Sequence, residues 1–138
     1  LGARSEERNC YIGGKVQYDL LAQTALFQIG LERVIKGMAS YHVALMCAEK
    51  DPLTCHRAIL ICPHLVARGV TVEHILEDGR LESHDDALSR LLRELGLPES
   101  DLFRSRNEIV EEAYSKRGQQ IAYSESNLDE EQAMQGLG

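Results

Sequence analysis

Apolar positions recur at helical spacing in the first quarter of the chain and again around its middle. Over residues 18–38 this spacing predicts two short helices or one kinked helix, with the break near Gly30. A further helix is predicted over residues 55–68, where Gly69 stands in the position that a C-terminal cap prefers. Pro63 lies inside that helix and should kink or split it, because proline lacks a backbone N–H.

Two short apolar runs favour strands. Residues 42–47 form a continuous apolar stretch of the length of a buried strand, and residues 70–76 are rich in β-branched side chains. With the helix between them they make a βαβ unit, whose strands are parallel and whose crossover is right-handed. The sequence therefore predicts an α/β fold with a small parallel sheet. Residues 1–14 show no period and are predicted as a loop with a turn at the Gly13–Gly14 pair.

The second half of the chain is predicted to be helical. Ser83 begins a pattern that resembles a capping box, with Asp86 at its end, and Ser105 and Glu108 form a regular one. Both patterns precede amphipathic runs. We expect a single α/β domain over residues 1–123. The acidic segment 124–138 has few apolar residues and is predicted to be a disordered tail.

Composition narrows the class of protein. A chain of 138 residues with 43% apolar content is sufficient for one domain with a core, and no stretch is apolar enough to cross a membrane. Residues 1–69 carry eight bases and six acids, whereas residues 70–138 carry seven and sixteen, so an anion site is expected in the first half. The chain begins without an initiator Met or a targeting segment. Four cysteines without a secretory signal indicate a reducing, cytoplasmic location.

The densest cluster of polar chemistry spans residues 47–57, between the end of the first predicted strand and the following helix. Ligands of α/β sheets bind there, because free backbone N–H groups and the helix dipole face that position. Arg57 adds a planar fork of donors suited to phosphate or carboxylate, and Glu49, Lys50 and Arg4 are further candidate ligand-binding residues. An arginine at a helix N-terminus opposes the dipole, which favours a ligand or an acidic partner such as Glu49 or Asp51.

The same loop contains candidate catalytic thiols. Cys55 stands at a predicted helix N-terminus beside His56 and Arg57, an arrangement that lowers the pKa of a thiol, and Cys47 could face it across the loop. The alternative is structural: Cys47 is then a small buried residue and Cys55 merely begins a helix.

Metal and nucleic-acid binding have weaker support. The spacing of Cys47, Cys55, His56, Cys62 and His64 matches no common zinc pattern, so no metal site is predicted. Structural or solvated roles are expected for the other histidines, which are His42, His74 and His84. The basic residues of the second half alternate with acids, which is typical of a solvated helix with ion pairs. They are Arg104, Arg106, Lys116 and Arg117.

The run from Met46 to Arg57 resembles a bacterial and archaeal family, domain of unknown function 488 (DUF488). Its Cys-Ala-Glu-Lys and Cys-His-Arg signatures stand at 47–50 and 55–57, and Leu1-Gly2-Ala3-Arg4 resembles the family's Leu-Gly-Gly-Arg. The resemblance covers about residues 1–123 and implies a small α/β domain with a parallel sheet. It also implies that the front third of the domain, including two strands, is absent here.

Three functional hypotheses follow. The first is an α/β domain with a site for a small anionic, phosphate-like ligand at residues 47–57, and with a thiol-dependent reaction carried by Cys55, Cys47 and His56. The second is a non-catalytic nucleic-acid-associated module, and the third is a structural domain without a ligand. The sequence identifies no cofactor. A sheet edge left without its neighbouring strands would need a cover, and a second copy of the chain is one candidate.

Overall fold

The computed structural model describes residues 1–125, and these residues form a mixed α/β structure in which helices predominate. The strands are β1 (Tyr11–Ile12), β2 (Lys15–Val16), β3 (Glu73–Ile75) and β4 (Leu81–Ser83). The α-helices are α1 (Tyr18–Ala22), α2 (Ala25–Met38), α3 (Cys62–Val66), α4 (His84–Glu94) and α5 (Arg106–Ile121). Short 3-10 helices lie at Arg8–Cys10 and Pro52–Thr54, and a π-helical turn at Arg57–Ile61 continues directly into α3.

The parallel sheet predicted from the sequence is wrong. In the described residues the strands form two separate antiparallel pairs, β1 with β2 and β3 with β4. Residues 42–47 form no strand, and of the run 70–76 only Glu73–Ile75 is a strand. Apolar content had favoured a buried strand, but Val43 is 42% exposed and Met46 is 94% exposed. No strand of the described structure pairs with this segment, so its backbone runs without a ladder.

The first fourteen residues, which were predicted as a loop, contain a short 3-10 helix and the strand β1. β1 and β2 form a hairpin whose turn is the Gly13–Gly14 pair, with φ angles of +57° and +76°. Two successive positive φ angles are typical of the hairpin turn that twists with its strands, and glycine adopts them without strain. The turn was predicted correctly, and the strands beside it were missed because they are only two residues long.

The predicted break in the first helical region lies at a different residue. The structure has two helices, but they separate at Gln23 and Thr24, where the Thr24 hydroxyl accepts the backbone N–H of Phe27. Gly30 lies inside α2. A Cβ atom at Gly30 would be 3.0 Å from Cγ of Leu1, so glycine is needed there for close packing rather than for a helix break.

The helix over residues 57–66 lies between two hydrophobic clusters. Ala58 and Ile59 pack with buried residues of α4 and α5, whereas Leu60, Ile61 and Leu65 pack with residues of α1 and α2. The helix changes from π to α immediately before Pro63. Proline has no N–H for the usual bond and its ring crowds the preceding turn, so a wider turn accommodates it. The predicted distortion at Pro63 is thereby confirmed.

Local signals placed several helix ends correctly. Ser83 accepts the backbone N–H of Asp86 at the start of α4, and Ser105 forms a full capping box with Glu108 at the start of α5. Gly69, with φ +78°, follows the end of α3 as predicted. The two serine caps fix the starts of α4 and α5, which pack against the helix over residues 57–66.

Part of the predicted tail lies within the described structure. Ser124 forms a β-bridge with Lys15, and the backbone N–H of Glu125 donates to the carbonyl of Gly14. The rest of that predicted segment, residues 126–138, lies outside the described residues. Over residues 1–125, none of the helices has the length and apolar character needed to span a membrane.

Candidate functional site

The loop from Cys47 to Cys55 is anchored to α4 and α5 by two arginines. The carboxylate of Asp51 caps the 3-10 turn by accepting the N–H of Leu53, and it also accepts two bonds from the guanidinium of Arg90, at 2.9 and 3.0 Å. This guanidinium holds the pKa of Asp51 below its usual range. Arg117 donates to the carbonyl of Leu53 at 3.2 Å. The loop is therefore held by polar contacts at its centre as well as by its ends.

Cys47 and Cys55 form a disulfide across this loop. Cys55 is only 2% exposed, while Cys47 is half-buried. The backbone N–H of Arg57 donates to Sγ of Cys55 at 3.4 Å. Because this N–H belongs to the first turn of a helix, it is placed to stabilise negative charge on that sulfur when the disulfide is opened. The two cysteines that the sequence placed across the loop are thus brought together.

His56 lies beside both sulfurs. Its Nδ1 is 3.7 Å from Sγ of Cys55 and 3.9 Å from Sγ of Cys47. Burial lowers the pKa of the imidazole, and the ring also hydrogen-bonds the backbone of Leu1, which opposes that shift. A neutral imidazole at this distance can take a proton from a thiol or return it. The geometry therefore supplies a proton carrier at the thiol pair.

Arg57 has a guanidinium that is only partly used. One terminal nitrogen, Nη2, donates to the main-chain carbonyl of Glu49 at 3.1 Å, whereas the buried Nε has no hydrogen-bond partner. Arg57 also lines a cavity of about 190 Å³ together with Cys62, His74 and Val72. Buried polar atoms are nearly always bonded, so an unpartnered Nε beside a cavity is the expected sign of a ligand group or water.

The other predicted ligand-binding residues do not converge on Arg57 through their side chains. Glu49 contributes its main-chain carbonyl rather than its carboxylate. Lys50 forms an exposed ion pair with Glu77. The guanidinium of Arg4 lies over the ring of Tyr123, 3.9 Å from the centroid, in a cation–π contact. Of these residues, the structure joins only Arg57 and the backbone of Glu49.

A second cluster was missed by the sequence analysis. Cys62, His74 and His84 are all buried, and one ligand atom of each lies within 4.8 Å of the others. Nε2 of His74 is 2.9 Å from Nδ1 of His84, and Nε2 of His84 is 2.8 Å from the hydroxyl of Tyr114. Within residues 1–125, Cys47, Cys55 and His56 make the other group of this kind.

The cluster of Cys62, His74 and His84 could not be predicted from neighbouring positions in the sequence. Its members come from three different elements, so no short motif joins them. His64, considered beside Cys62 as a ligand, packs edge-on against the ring of Phe27 instead. The burial of His74 follows from the exposed, buried, exposed alternation of β3, which the β-branched pattern alone did not assign to a face.

Comparison with other proteins gives a family match for the part of the chain that contains Cys47, Cys55 and His56. No curated protein and no solved structure matches this chain. The family model described as Domain of unknown function DUF488 matches residues 1–62, which contain the whole loop from Cys47 to Arg57. The family resemblance is therefore confirmed over this part of the chain. Its extension to residue 123 stays a prediction.

Proposed function

We propose that this protein is a thiol-dependent enzyme whose reactive centre is the Cys47–Cys55 pair and whose substrate carries an anionic group bound by Arg57. The observation that carries the proposal is the position of His56 Nδ1, which lies within 3.9 Å of both sulfurs. A disulfide that only ties a loop needs no proton carrier beside it. A pair that is opened and closed during a reaction is helped by one, because a thiol loses its proton before it attacks and regains it after it leaves.

The two sulfurs have different roles in the proposed reaction, thiol–disulfide exchange. A substrate thiolate attacks Sγ of half-buried Cys47, the bond between the sulfurs breaks, and Cys55 leaves with the electron pair. The N–H of Arg57 stabilises this leaving thiolate. A second substrate thiolate then attacks the substrate sulfur of the mixed disulfide, and Cys47 leaves. Two substrate thiols become one disulfide, and their two protons end on Cys47 and Cys55, transferred through His56. A disulfide substrate then reoxidises the pair by the same steps in reverse and leaves as two thiols.

Anion recognition rests on Arg57. Its Nη2 is held by the carbonyl of Glu49, which fixes the plane of the guanidinium, and its unpartnered Nε is free to donate. A carboxylate or phosphate oxygen accepts such a bond well because the donor is charged and already oriented. The substrate class that fits is a small thiol or disulfide bearing an anionic group.

No observation favours the nucleic-acid alternative. The basic side chains of α5 and the segment before it are paired with carboxylates: Arg104 with Asp101 and Glu112, Arg106 with Asp85, Lys116 with Glu112 and Arg117 with Glu94. Such pairs leave little free positive charge to neutralise phosphates.

The test uses two disulfide probes that differ in charge. The protein is reduced, and its reaction with the anionic dithiobis(nitrobenzoate) and with the neutral dithiodipyridine is followed by absorbance. We expect wild type to react with both and to end with the Cys47–Cys55 disulfide, identified by peptide mapping. Arg57→Met should slow the reaction with the anionic probe more than with the neutral one. Arg68→Met, at an exposed arginine bound to Gln28 and His64, is the matched control.

Two results would overturn the proposal in separable ways. If the Cys47–Cys55 pair reacts no faster than the same protein in denaturant, the thiol function fails. If the pair reacts but Arg57→Met slows both probes equally, the thiol reaction stands and the anion site fails. Cys10→Ala, which removes one of the two buried free cysteines, checks that Cys10 does not contribute to the signal, and the peptide mapping checks Cys62.

A further inference from the structure

Cys62, His74 and His84 form a compact set of buried donors. Cys62 is the first residue of α3, His74 is the middle residue of β3, and His84 is the first residue of α4. Their exposures are 4%, 6% and 8%. His74 and His84 hydrogen-bond to each other, His84 also bonds Tyr114, and one ligand atom of Cys62 lies within 4.8 Å of the ligand atoms of both histidines.

We propose that Sγ of Cys62, Nε2 of His74 and Nδ1 of His84 bind one zinc ion. One thiolate and two imidazoles are the donor types that zinc prefers, and three protein ligands are the number found in zinc sites that keep one position open. This site is separate from the Cys47–Cys55 pair and does not depend on the thiol reaction proposed above.

The distances between donors suit a small adjustment rather than a rearrangement. Two imidazole nitrogens bound tetrahedrally to zinc at their usual bond length lie about 3.3 Å apart. His74 Nε2 and His84 Nδ1 are 2.9 Å apart, and the two rings are inclined at 44° rather than stacked. These nitrogens share a hydrogen bond in the structure, and zinc would replace it: they would have to open by about 0.4 Å through side-chain rotation, with the ligand atoms of the three donor residues already within 4.8 Å of one another.

Tyr114 supplies the outer contact that histidine ligands of metals ordinarily have. When Nδ1 of His84 is on zinc, the proton of that ring is on Nε2, and Nε2–H donates to the Tyr114 hydroxyl at 2.8 Å. This bond fixes the tautomer and the ring orientation that the site needs. Tyr114 comes from α5, so the site ties α5 to α4 and β3.

The charges around the cluster are compatible with zinc. Without an ion the cluster is neutral, because burial raises the pKa of the Cys62 thiol to about 12 and lowers that of His84 to about 4. Zinc displaces the thiol proton, which is released to solvent, and the sulfur becomes a bound thiolate. Arg57 favours the Cys62 thiolate. At His74 the carboxylates of Glu82 and Asp51 favour positive charge while Arg57 and Arg90 oppose it, and at His84 the carboxylate of Asp85 favours it.

The open fourth position has a route to solvent. Cys62 and His74 line the cavity of about 190 Å³ that Arg57 also borders. A water molecule entering this cavity can complete the tetrahedron, as in zinc sites with three protein ligands.

The first experiment uses metal-free wild type with the Cys47–Cys55 disulfide intact, so that this pair cannot act as a thiolate ligand. Zinc chloride is added at neutral pH, and bound zinc and released protons are measured. We expect one zinc bound and one proton released per chain. Cobalt(II) in place of zinc should give the charge-transfer band of a single thiolate ligand. Absence of stoichiometric binding would overturn the proposal.

Variants then locate the ion. Cys62→Ala should lose stoichiometric zinc, whereas Cys10→Ala, at the other buried free cysteine, should keep it. Tyr114→Phe should weaken the affinity about 10- to 100-fold, the usual effect of losing an outer contact. If Cys62→Ala does not fold, X-ray absorption of zinc-loaded wild type decides: one sulfur with two nitrogens supports the site. A spectrum with two sulfurs, or none, contradicts it, as does full binding by a folded Cys62→Ala.

Discussion

Acid should destabilise this protein through His84, and the size of the effect can be worked out from the structure. His84 is buried against His74 of β3 and Tyr114 of α5, with Asp85 next to it on its own helix. Burial, and then the facing His74, lower its pKa from 6.5 to about 4 in the folded state. The unfolded chain therefore binds a proton at a pH where the folded chain does not.

The sign of the effect follows from that difference. The contribution of His84 to stability is complete above its unfolded pKa of 6.5 and is lost as pH falls from there to about 4. Between pH 7 and pH 5 the loss from this one group is about 2 kcal/mol. Below about pH 4 both states are protonated and the group adds no further pH dependence.

The assay compares wild type with His84→Gln by urea denaturation, in a chelator so that metal does not contribute. A glutamine side chain does not titrate, so the fall in unfolding free energy between pH 7 and pH 5 should be about 2 kcal/mol smaller in the variant than in wild type. His74 is present in wild type and in the variant, so the comparison reports the loss of the His84 imidazole. His42→Gln, at an exposed position, is the matched control and should fall as wild type does. Equal losses in wild type and His84→Gln would refute the reasoning.

Three further substitutions test the framework under the site, each by denaturant unfolding at neutral pH. Leu91→Ala empties a fully buried position in the hydrophobic cluster that also contains Ile59, and should lower the unfolding free energy by about 2–5 kcal/mol. A loss under about 1 kcal/mol would contradict the packing of Leu91 in this cluster. Ser105→Ala removes the cap of α5 and should lower it by about 1 kcal/mol, with Ser105→Asp keeping most of the stability. Arg90→Met leaves the Asp51 carboxylate without its guanidinium and should lower it by about 1–3 kcal/mol, whereas no change would mean that this pair does not hold the loop.

Features set by near neighbours in the chain could be predicted from the sequence. The caps at Ser83 and Ser105, the end of the central helix before Gly69 and the distortion at Pro63 each depend on residues a few positions apart. The proximity of Cys47 and Cys55 belongs to this class, since only a short loop separates them. Local hydrogen bonding and backbone sterics decide such features before any packing forms.

Features that depend on distant partners were missed or wrong. The run 42–47 has the composition of a buried strand, yet a strand also needs a neighbour, and in the described residues it has none. Gly30 suggested a helix break, but the side chain of Leu1, distant in the chain, packs on it. The buried cluster of Cys62, His74 and His84 likewise joins three elements, which spacing along the chain does not reveal.

Arg57 had raised a contradiction in the sequence, since a positive side chain at a helix N-terminus opposes the dipole. Of the acidic partners considered, Asp51 is bound to Arg90, and Glu49 offers only its main-chain carbonyl. Neither carboxylate therefore pairs with the guanidinium of Arg57, and its buried Nε has no partner within the part of the chain that the structure describes.

Two contacts of Arg57 already serve the loop, through its backbone N–H on Cys55 and its Nη2 on Glu49. Arg57→Lys keeps the backbone contact and the charge but loses the oriented fork. If this variant reacts with the neutral disulfide probe like wild type and more slowly with the anionic one, the arginine is there for a ligand. If it reacts like wild type with both, the arginine serves only the loop.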